Sequence, residues 1–278
     1  MDATISARNV RVNGRAVWLA SWNVAVGDRL DVSDPPAVRP DGPETFDPRW
    51  LVHIDDDLLV VDKPEGLRSE ATRATDATPN LLLLCTQTFG TLTLAHRLDR
   101  DTSGLVLLPR SRLARQVLDD AFKRHLVAKR YTAVVKSPPG IEGTIDRPIG
   151  PDPTRRDRMI TTEKGRAGDA RPAQTRWAVL DRFGPRALIN LRPLTGRTHQ
   201  LRVHCASVGM AIIGDPVYGD PIPADPVPGE GASGEGASGT AARMMLHATE
   251  LEIPPIGPEP GRSFFAPVPS IFESALRC

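Results

Sequence analysis

No stretch of this 278-residue sequence is apolar for long enough to span a bilayer, which takes about 20 consecutive residues. The opening Met1-Asp2-Ala3-Thr4 has neither the basic region nor the apolar core of a secretory leader, so a cytoplasmic location and no membrane partner are expected. Cysteine is scarce. Cys85, Cys205 and Cys278 are widely spaced, with no CxxC and no His/Cys pair at zinc spacing, so reduced thiols and no metal site are expected. An excess of one charge is also missing: 35 Lys and Arg face 34 Asp and Glu, a net charge of +1. That balance argues against a protein that coats nucleic acid nonspecifically. The remaining composition, 40% hydrophobic and 25% charged, is that of an ordinary globular protein, long enough for one large domain with an appendage.

The charge is unevenly spread. Residues 96–130 hold nine Lys and Arg against four acids (Asp99, Asp101, Asp119, Asp120). Residues 154–176 add Arg155, Arg156, Arg158, Lys164, Arg166, Arg171 and Arg176. Local patches of this kind suit contacts to phosphates, although basic runs also occur simply as solvated faces.

Along the chain, residues 1–33 read as a small β-rich appendage, with Asn13-Gly14 as a hairpin-turn signal between short apolar runs. Residues 34–48 carry Pro35, Pro36, Pro40, Pro43 and Pro48 and read as a linker. Strands are expected at 51–54 and 58–62, around the Asp55-Asp56-Asp57 turn. A helix is expected over 79–89, capped by Thr78 with Pro79 in its first position. Strands at 91–94 and 105–108 bracket a loop. A helix over 111–127 follows, capped by Ser111, with Leu113, Val117, Ala121, Phe122 and Leu126 at helical spacing. Strands at 131–135, 174–180 and 187–191, a helix at 198–208 and a last strand at 246–253 complete the domain. Strand runs without regular intervening helices predict an α+β fold, a mainly antiparallel mixed sheet with flanking helices spanning 49–275. Residues 220–242, which repeat Gly-Glu-Gly-Ala-Ser, cannot bury a core and read as a mobile insertion.

The most informative run is His96-Arg97-Leu98-Asp99-Arg100-Asp101-Thr102-Ser103-Gly104 on the loop between the 91–94 and 105–108 strands. A carboxylate set between two arginines is held in its charged form and fixed in place, and such an aspartate can be a nucleophile. Aspartate before Thr-Ser-Gly also makes ordinary turns, so the run needs support from elsewhere. Lys129-Arg130-Tyr131-Thr132-Ala133-Val134-Val135 places a tyrosine on a strand. Arg192-Pro193-Leu194-Thr195-Gly196-Arg197-Thr198-His199-Gln200-Leu201-Arg202-Val203-His204 leads into Gly214-Asp215-Pro216-Val217-Tyr218-Gly219.

These three segments together resemble the signature of the RluA-type pseudouridine synthases, which isomerise uridine in RNA. Asp62-Lys63-Pro64-Glu65-Gly66-Leu67 resembles the opening motif of that family, and Arg243-Met244-Met245-Leu246-His247-Ala248 with Phe264-Phe265-Ala266-Pro267 its closing segment. Arg68-Ser69-Glu70 departs from the usual His-Pro ending of the opening motif. The resemblance implies a pseudouridine synthase catalytic domain with no cofactor. Its partner would be structured RNA, ribosomal or transfer, and not DNA; with no heptad or long apolar edge in the sequence, a monomer is expected. It implies Asp99 as nucleophile, attacking base or sugar or assisting loss of a sugar proton, and Arg202 as its charge partner. It implies that Tyr131 packs on the target base and bears on deprotonation of carbon 5, which needs a lowered phenol pKa. Arg97 would fill the space left by the flipped nucleotide, unless it is a surface arginine paired with Asp101. His96 would orient the loop and Leu201 would wall the pocket. Arg197 and His199 would hold phosphate or the local fold. The appendage is similar to the second half of a small RNA-binding domain, without the two helices that open it. Two other readings remain: a catalytically silent RNA-binding or folding factor on the same scaffold, or a hydrolase pairing Asp99 with a second carboxylate.

Overall fold

The computed structural model describes residues 10–13, 15–17, 27–32, 43, 45–71, 78–155, 158–162, 169–219 and 243–277. Gly14, residues 24–26, most of the Pro-rich segment, Arg156, Lys164, Arg166, the 220–242 segment and Cys278 lie outside them. The chain divides into two compact units, 1–43 and 44–278.

In the first unit β1 (Val10–Val12) pairs antiparallel with both β2 (Arg15–Val17) and β3 (Leu30–Val32). Asn13 adopts the left-handed region at φ 50° and ties the end of β1 to the residue before β3. Its N–H donates to the Arg29 carbonyl and its side-chain oxygen accepts from the Arg29 N–H, both at 2.9 Å.

The second unit begins inside the expected linker. Phe46 packs edge-on against Trp50 and Phe89, at 5.5 and 5.0 Å between ring centroids, so residues 45–48 belong to this unit. A 3-10 turn at Pro48–Trp50 leads into β4 (Leu51–Ile54) and β5 (Leu58–Lys63). Helix α1 (Leu81–Phe89), strand β6 (Ser103–Pro109), helix α2 (Arg112–Lys123) and strand β7 (Ala128–Lys136) follow. Then come β8 (Glu142–Asp146), the small hairpin β9 (Ile149–Pro151) and β10 (Met159–Thr161), β11 (Gln174–Phe183) and β12 (Arg186–Pro193). Helix α3 (Gln200–Ser207), strands β13 (Leu246–Ile253) and β14 (Arg262–Phe265) and helix α4 (Ile271–Arg277) complete it.

The described strands of this unit build a nine-stranded sheet in the order β4-β5-β6-β13-β7-β12-β11-β8, with β14 on β13. Every pairing is antiparallel except β6 with β13. This is the α+β architecture expected, but β13 lies inside the sheet and does not end it. Gly104 allows that insertion: a Cβ there would stand 2.4 Å from the Ala248 backbone N and O, and its φ of +114° suits glycine alone.

Both faces of the sheet are covered, so β5 and β6 are continuous apolar runs. Leu59, Val61, Val106 and Leu108 pack with Tyr131, Ala133, Leu81, Leu84 and Leu201, beneath α1 and α3. Leu58, Val60, Leu105 and Leu107 pack on Ala114, Leu118 and Ala121 of α2. Phe272, Ala275 and Leu276 of α4 cover Val134.

Three local expectations shift. Helix α1 is capped by Asn80, whose side chain accepts from the Leu83 N–H at 3.0 Å; Asn80 is held by a bridge to Arg68, so Thr78 and Pro79 precede the helix. Residues 91–94 form no strand, the main-chain link from this segment to β6 being Ala95 N–H to Leu107 O at 3.0 Å. Ser111 does cap α2, but that helix ends at Lys123 and buries Ala114 and Leu118, leaving Leu113 and Leu126 exposed.

Candidate active site

A cleft of about 690 Å³ opens on the α3 side of the sheet, and all eight residues singled out from the sequence line it: His96, Arg97, Asp99, Tyr131, Arg197, His199, Leu201 and Arg202. Three elements bring them together. The loop before β6 carries His96, Arg97 and Asp99, strand β7 carries Tyr131, and α3 with the segment leading into it carries the rest.

The Asp99 loop is tied down by its backbone. Lys63, fully buried, donates from Nζ to the carbonyls of Pro64, Leu67 and Arg100 at 2.8, 2.7 and 3.0 Å. Burial pushes the Lys63 pKa down to about 7, against the pull of Asp101 and Asp99. The Ser69 hydroxyl donates to the Leu98 carbonyl at 2.8 Å and accepts from the Leu98 N–H at 3.0 Å. The Thr102 N–H closes the turn onto the Asp99 carbonyl at 3.2 Å. The departure at Arg68-Ser69-Glu70 therefore has structural work: Ser69 fixes the loop, and Glu70 pairs with Arg97 at 3.1 Å. Asp101, the alternative partner of Arg97, pairs with Arg100 at 3.0 Å instead.

Arg202 lies in the first turn of α3, only 5% of its side chain exposed. Its Nε and Nη2 donate to Asp215 Oδ2 and Oδ1, both at 2.8 Å, and its Nη1 donates to Asp99 Oδ2 at 3.1 Å. Asp215 also accepts from the backbone N–H groups of Val217 and Tyr218. Burial works against the charge on both partners. For Arg202 the hydrogen bonds and charge of Asp215, with the charge of Asp99, outweigh it, so its pKa is raised. Arg202 and the two backbone donors likewise hold Asp215 below the usual carboxylate range.

Tyr131 is buried, with Asp99 close enough to act on it electrostatically; burial first and that charge second raise its phenol pKa well above the ordinary value. This is opposite to the lowered pKa that a proton-accepting phenolate needs. His96 is pushed down to about 3 by burial and by Lys129. Its neutral Nε2 accepts from the Leu107 N–H at 3.2 Å, and its ring stacks on Phe122 at 5.0 Å, so it steadies the loop against β6 and α2. Leu201 is buried in the cleft wall. Arg197 donates from Nε to the Pro172 carbonyl at 3.0 Å, and its N–H donates to Gln200 Oε1 at 3.0 Å, so it holds the segment entering α3. His199 adopts φ 56° at the helix start, and its Nε2 lies 3.9 Å from Asp99 Oδ2.

Asp215, Tyr218, Ser69 and Lys129 belong to this site or its support without having been assigned a part in it. Asp215 and Tyr218 stand in the quoted Gly214–Gly219 segment, but nothing in the spacing shows that they fold back onto Arg202. Among the described residues no group of His, Cys, Asp and Glu is arranged to hold a metal ion. Chemically, the cleft offers one accessible carboxylate, a buried cation aiming it, an aromatic wall and an apolar wall.

A family described as RNA pseudouridylate synthase matches residues 57–207, more than half of the chain. A Bacillus subtilis protein named "Uncharacterized RNA pseudouridine synthase YlyB" is 35% identical over 210 residues, 70% of this chain and 65% of that protein. The match thus spans less than two thirds of that relative's own length. The "Dual-specificity RNA pseudouridine synthase RluA" of Escherichia coli O157:H7 is 33% identical over 171 residues, 59% of this chain and 76% of that one. Among solved structures, "Human RNA Pseudouridylate Synthase Domain Containing 1" superposes with a TM-score of 0.63 at 28% identity, covering 81% of this chain and 84% of the human one. With a matching catalytic family, a matching fold and relatives of that name, the chain belongs to the RluA-type branch of the RNA pseudouridylate synthase family.

Proposed function

We propose that this chain isomerises specific uridines in ribosomal or transfer RNA to pseudouridine, as a cytoplasmic monomer, with Asp99 as the nucleophile. The observation that carries this reading is the Arg202 guanidinium, which donates to Asp99 at 3.1 Å while Asp215 holds it in place. A carboxylate so anchored, 30% exposed at the mouth of a cleft, is oriented for attack before substrate arrives.

In the reaction the bond between ribose carbon 1 and uracil nitrogen 1 breaks and a bond to uracil carbon 5 forms. Carbon 5 loses a proton and nitrogen 1 gains one, so the composition of the RNA is unchanged. The target nucleotide leaves its stack to enter the cleft, at a cost of a few kcal/mol. Arg97, exposed at the cleft rim, fills the vacated space with a planar cation. Tyr131 and Leu201 form the walls between which the uracil packs. Held neutral by its surroundings, the Tyr131 phenol serves as a packing face and hydrogen-bond donor and not as a phenolate base. The basic residues of α2 and of the segment after β9 meet phosphates flanking the target. The three-stranded N-terminal unit is in this reading the remnant of an RNA-binding domain.

The test is nucleoside analysis of ribosomal and transfer RNA after incubation with the protein. Pseudouridine in place of uridine, at unchanged RNA mass, supports the assignment. Free uracil identifies a hydrolase, and unaltered RNA that is nevertheless bound identifies a silent scaffold.

A further inference from the structure

Tyr218 stands where the β9–β10 hairpin meets the Arg202–Asp99 pair. Its ring packs beside the Arg202 guanidinium, with Cζ 5.1 Å from the ring centroid, and beside that of Arg158 at 5.5 Å. Its hydroxyl accepts from the N–H of Met159, the first residue of β10, at 2.8 Å, and lies 2.9 Å from His199 Nδ1. The far side of the same imidazole faces the site, with Nε2 3.9 Å from Asp99 Oδ2.

A phenol has a single proton to give. The Met159 amide can only donate, so the Tyr218 oxygen is the acceptor there, which leaves its own proton available to Nδ1. Burial raises the Tyr218 pKa, which keeps that proton in place. With Nδ1 accepting, a neutral His199 carries its proton on Nε2, pointed at Asp99. The other tautomer would set a nitrogen lone pair against a carboxylate. Arg202 and His199 both address Oδ2, and neither contact engages Oδ1.

We propose that Tyr218 is a positioning residue: it fixes His199 as the Nε2–H tautomer, makes His199 the second N–H group directed at Asp99 Oδ2, and ties that group to the β9–β10 hairpin. The inference rests on Asp99 being the nucleophile. At 3.9 Å the contact is longer than a hydrogen bond, so the Nε2–H acts on Oδ2 as an oriented dipole.

The experiment uses the full chain with 15N-labelled histidine. Long-range proton–nitrogen correlation reads the tautomer of His199, assigned by its loss in His199→Gln. Wild type is expected to show Nε2–H. Tyr218→Phe keeps the ring over Arg202 and removes only the hydroxyl, so it is expected to lose that pure tautomer. Its kcat should fall about tenfold, with KM for RNA within about twofold. In a His199→Gln background, Tyr218→Phe should slow turnover no further. An Nδ1–H tautomer in wild type, an unchanged kcat in Tyr218→Phe, or an undiminished Tyr218→Phe effect in the His199→Gln background would each overturn the inference. The tautomer is read without substrate, so an inactive wild-type protein showing Nε2–H refutes the functional reading while leaving the tautomer assignment standing.

Discussion

Arg202 reaches Asp99 with only one of its nitrogens, Nη1 at 3.1 Å, because Nε and Nη2 are committed to Asp215. The fork toward Asp215 fixes the guanidinium plane, and the remaining nitrogen then fixes the nucleophile. A single arginine thus couples the integrity of the fold to the aim of the site.

Replacing Arg202 should therefore affect both. Arg202→Met leaves the fully buried Asp215 carboxylate without its cation, which costs about 3–5 kcal/mol. That corresponds to a fall of roughly 10 °C in melting temperature for a domain of this size. Turnover should drop with it. Arg202→Lys keeps a charge but loses the two-pronged geometry, so it should cost less stability than Met while still misdirecting Asp99. Thermal melts beside turnover assays check this. Full stability in Arg202→Met would mean that Asp215 is held by other partners.

The parallel contact between β6 and β13 gives a purely structural prediction. In Gly104→Ala the new Cβ would stand 2.4 Å from two backbone atoms of Ala248, at a φ of +114° that L-residues avoid. Backbone cannot yield as a side-chain tip can, so a loss of about 3 kcal/mol or more is expected in chemical denaturation. Wild-type stability would show that β13 does not insert beside β6.

Stability should also fall below neutral pH. Burial and Lys129 depress the folded-state pKa of His96 from 6.5 to about 3, and burial with Arg243 depresses that of His247 from 6.5 to about 4. In both cases the unfolded chain takes up a proton that the folded chain refuses, so stability present above pH 6.5 is lost as pH drops toward the folded values. From pH 7 to 5 each contributes a loss of about 2 kcal/mol. Asp62 acts in the opposite sense: burial raises it from 3.8 to about 6, and its protonation in the folded state returns about 1 kcal/mol over the same range. Urea denaturation at pH 7 and 5 should show a net loss of at least about 2 kcal/mol, to which His204, also held below its ordinary value by burial, adds. In His96→Gln the loss should be about 2 kcal/mol smaller, and an equal loss in both proteins would contradict the assignment to His96.

Much of this was legible in the sequence, and the reasons differ between elements. Strands such as β5 and β6 announce themselves because burial on both faces demands continuous apolar runs. The Asp99 loop is legible because its residue types are unusual together and resemble a known signature. What the sequence conceals is partnership across long separations. Nothing near Ser69 indicates that it grips the backbone of Leu98, and nothing near Arg202 indicates that Asp215 takes two of its nitrogens. The stacking role of Tyr131 is what the resemblance implies, but the direction of its pKa depends on burial and on Asp99, which only the folded chain brings together. Helix α2 is found by its spacing, yet Leu113 points outward because the buried stripe is narrower than the apolar residues available, and Leu126 is exposed beyond the helix end at Lys123.

The central claim is that Asp99 drives uridine isomerisation. The most direct measurement is tritium release from ribosomal and transfer RNA labelled at uracil carbon 5, by wild type and by Asp99→Asn. The substitution keeps the size of the side chain and removes its negative charge, and Arg202 stays on Asp215. Release by wild type, with release by Asp99→Asn at least about 10³-fold slower and RNA binding preserved, is the predicted result. Equal release by both proteins would contradict the account.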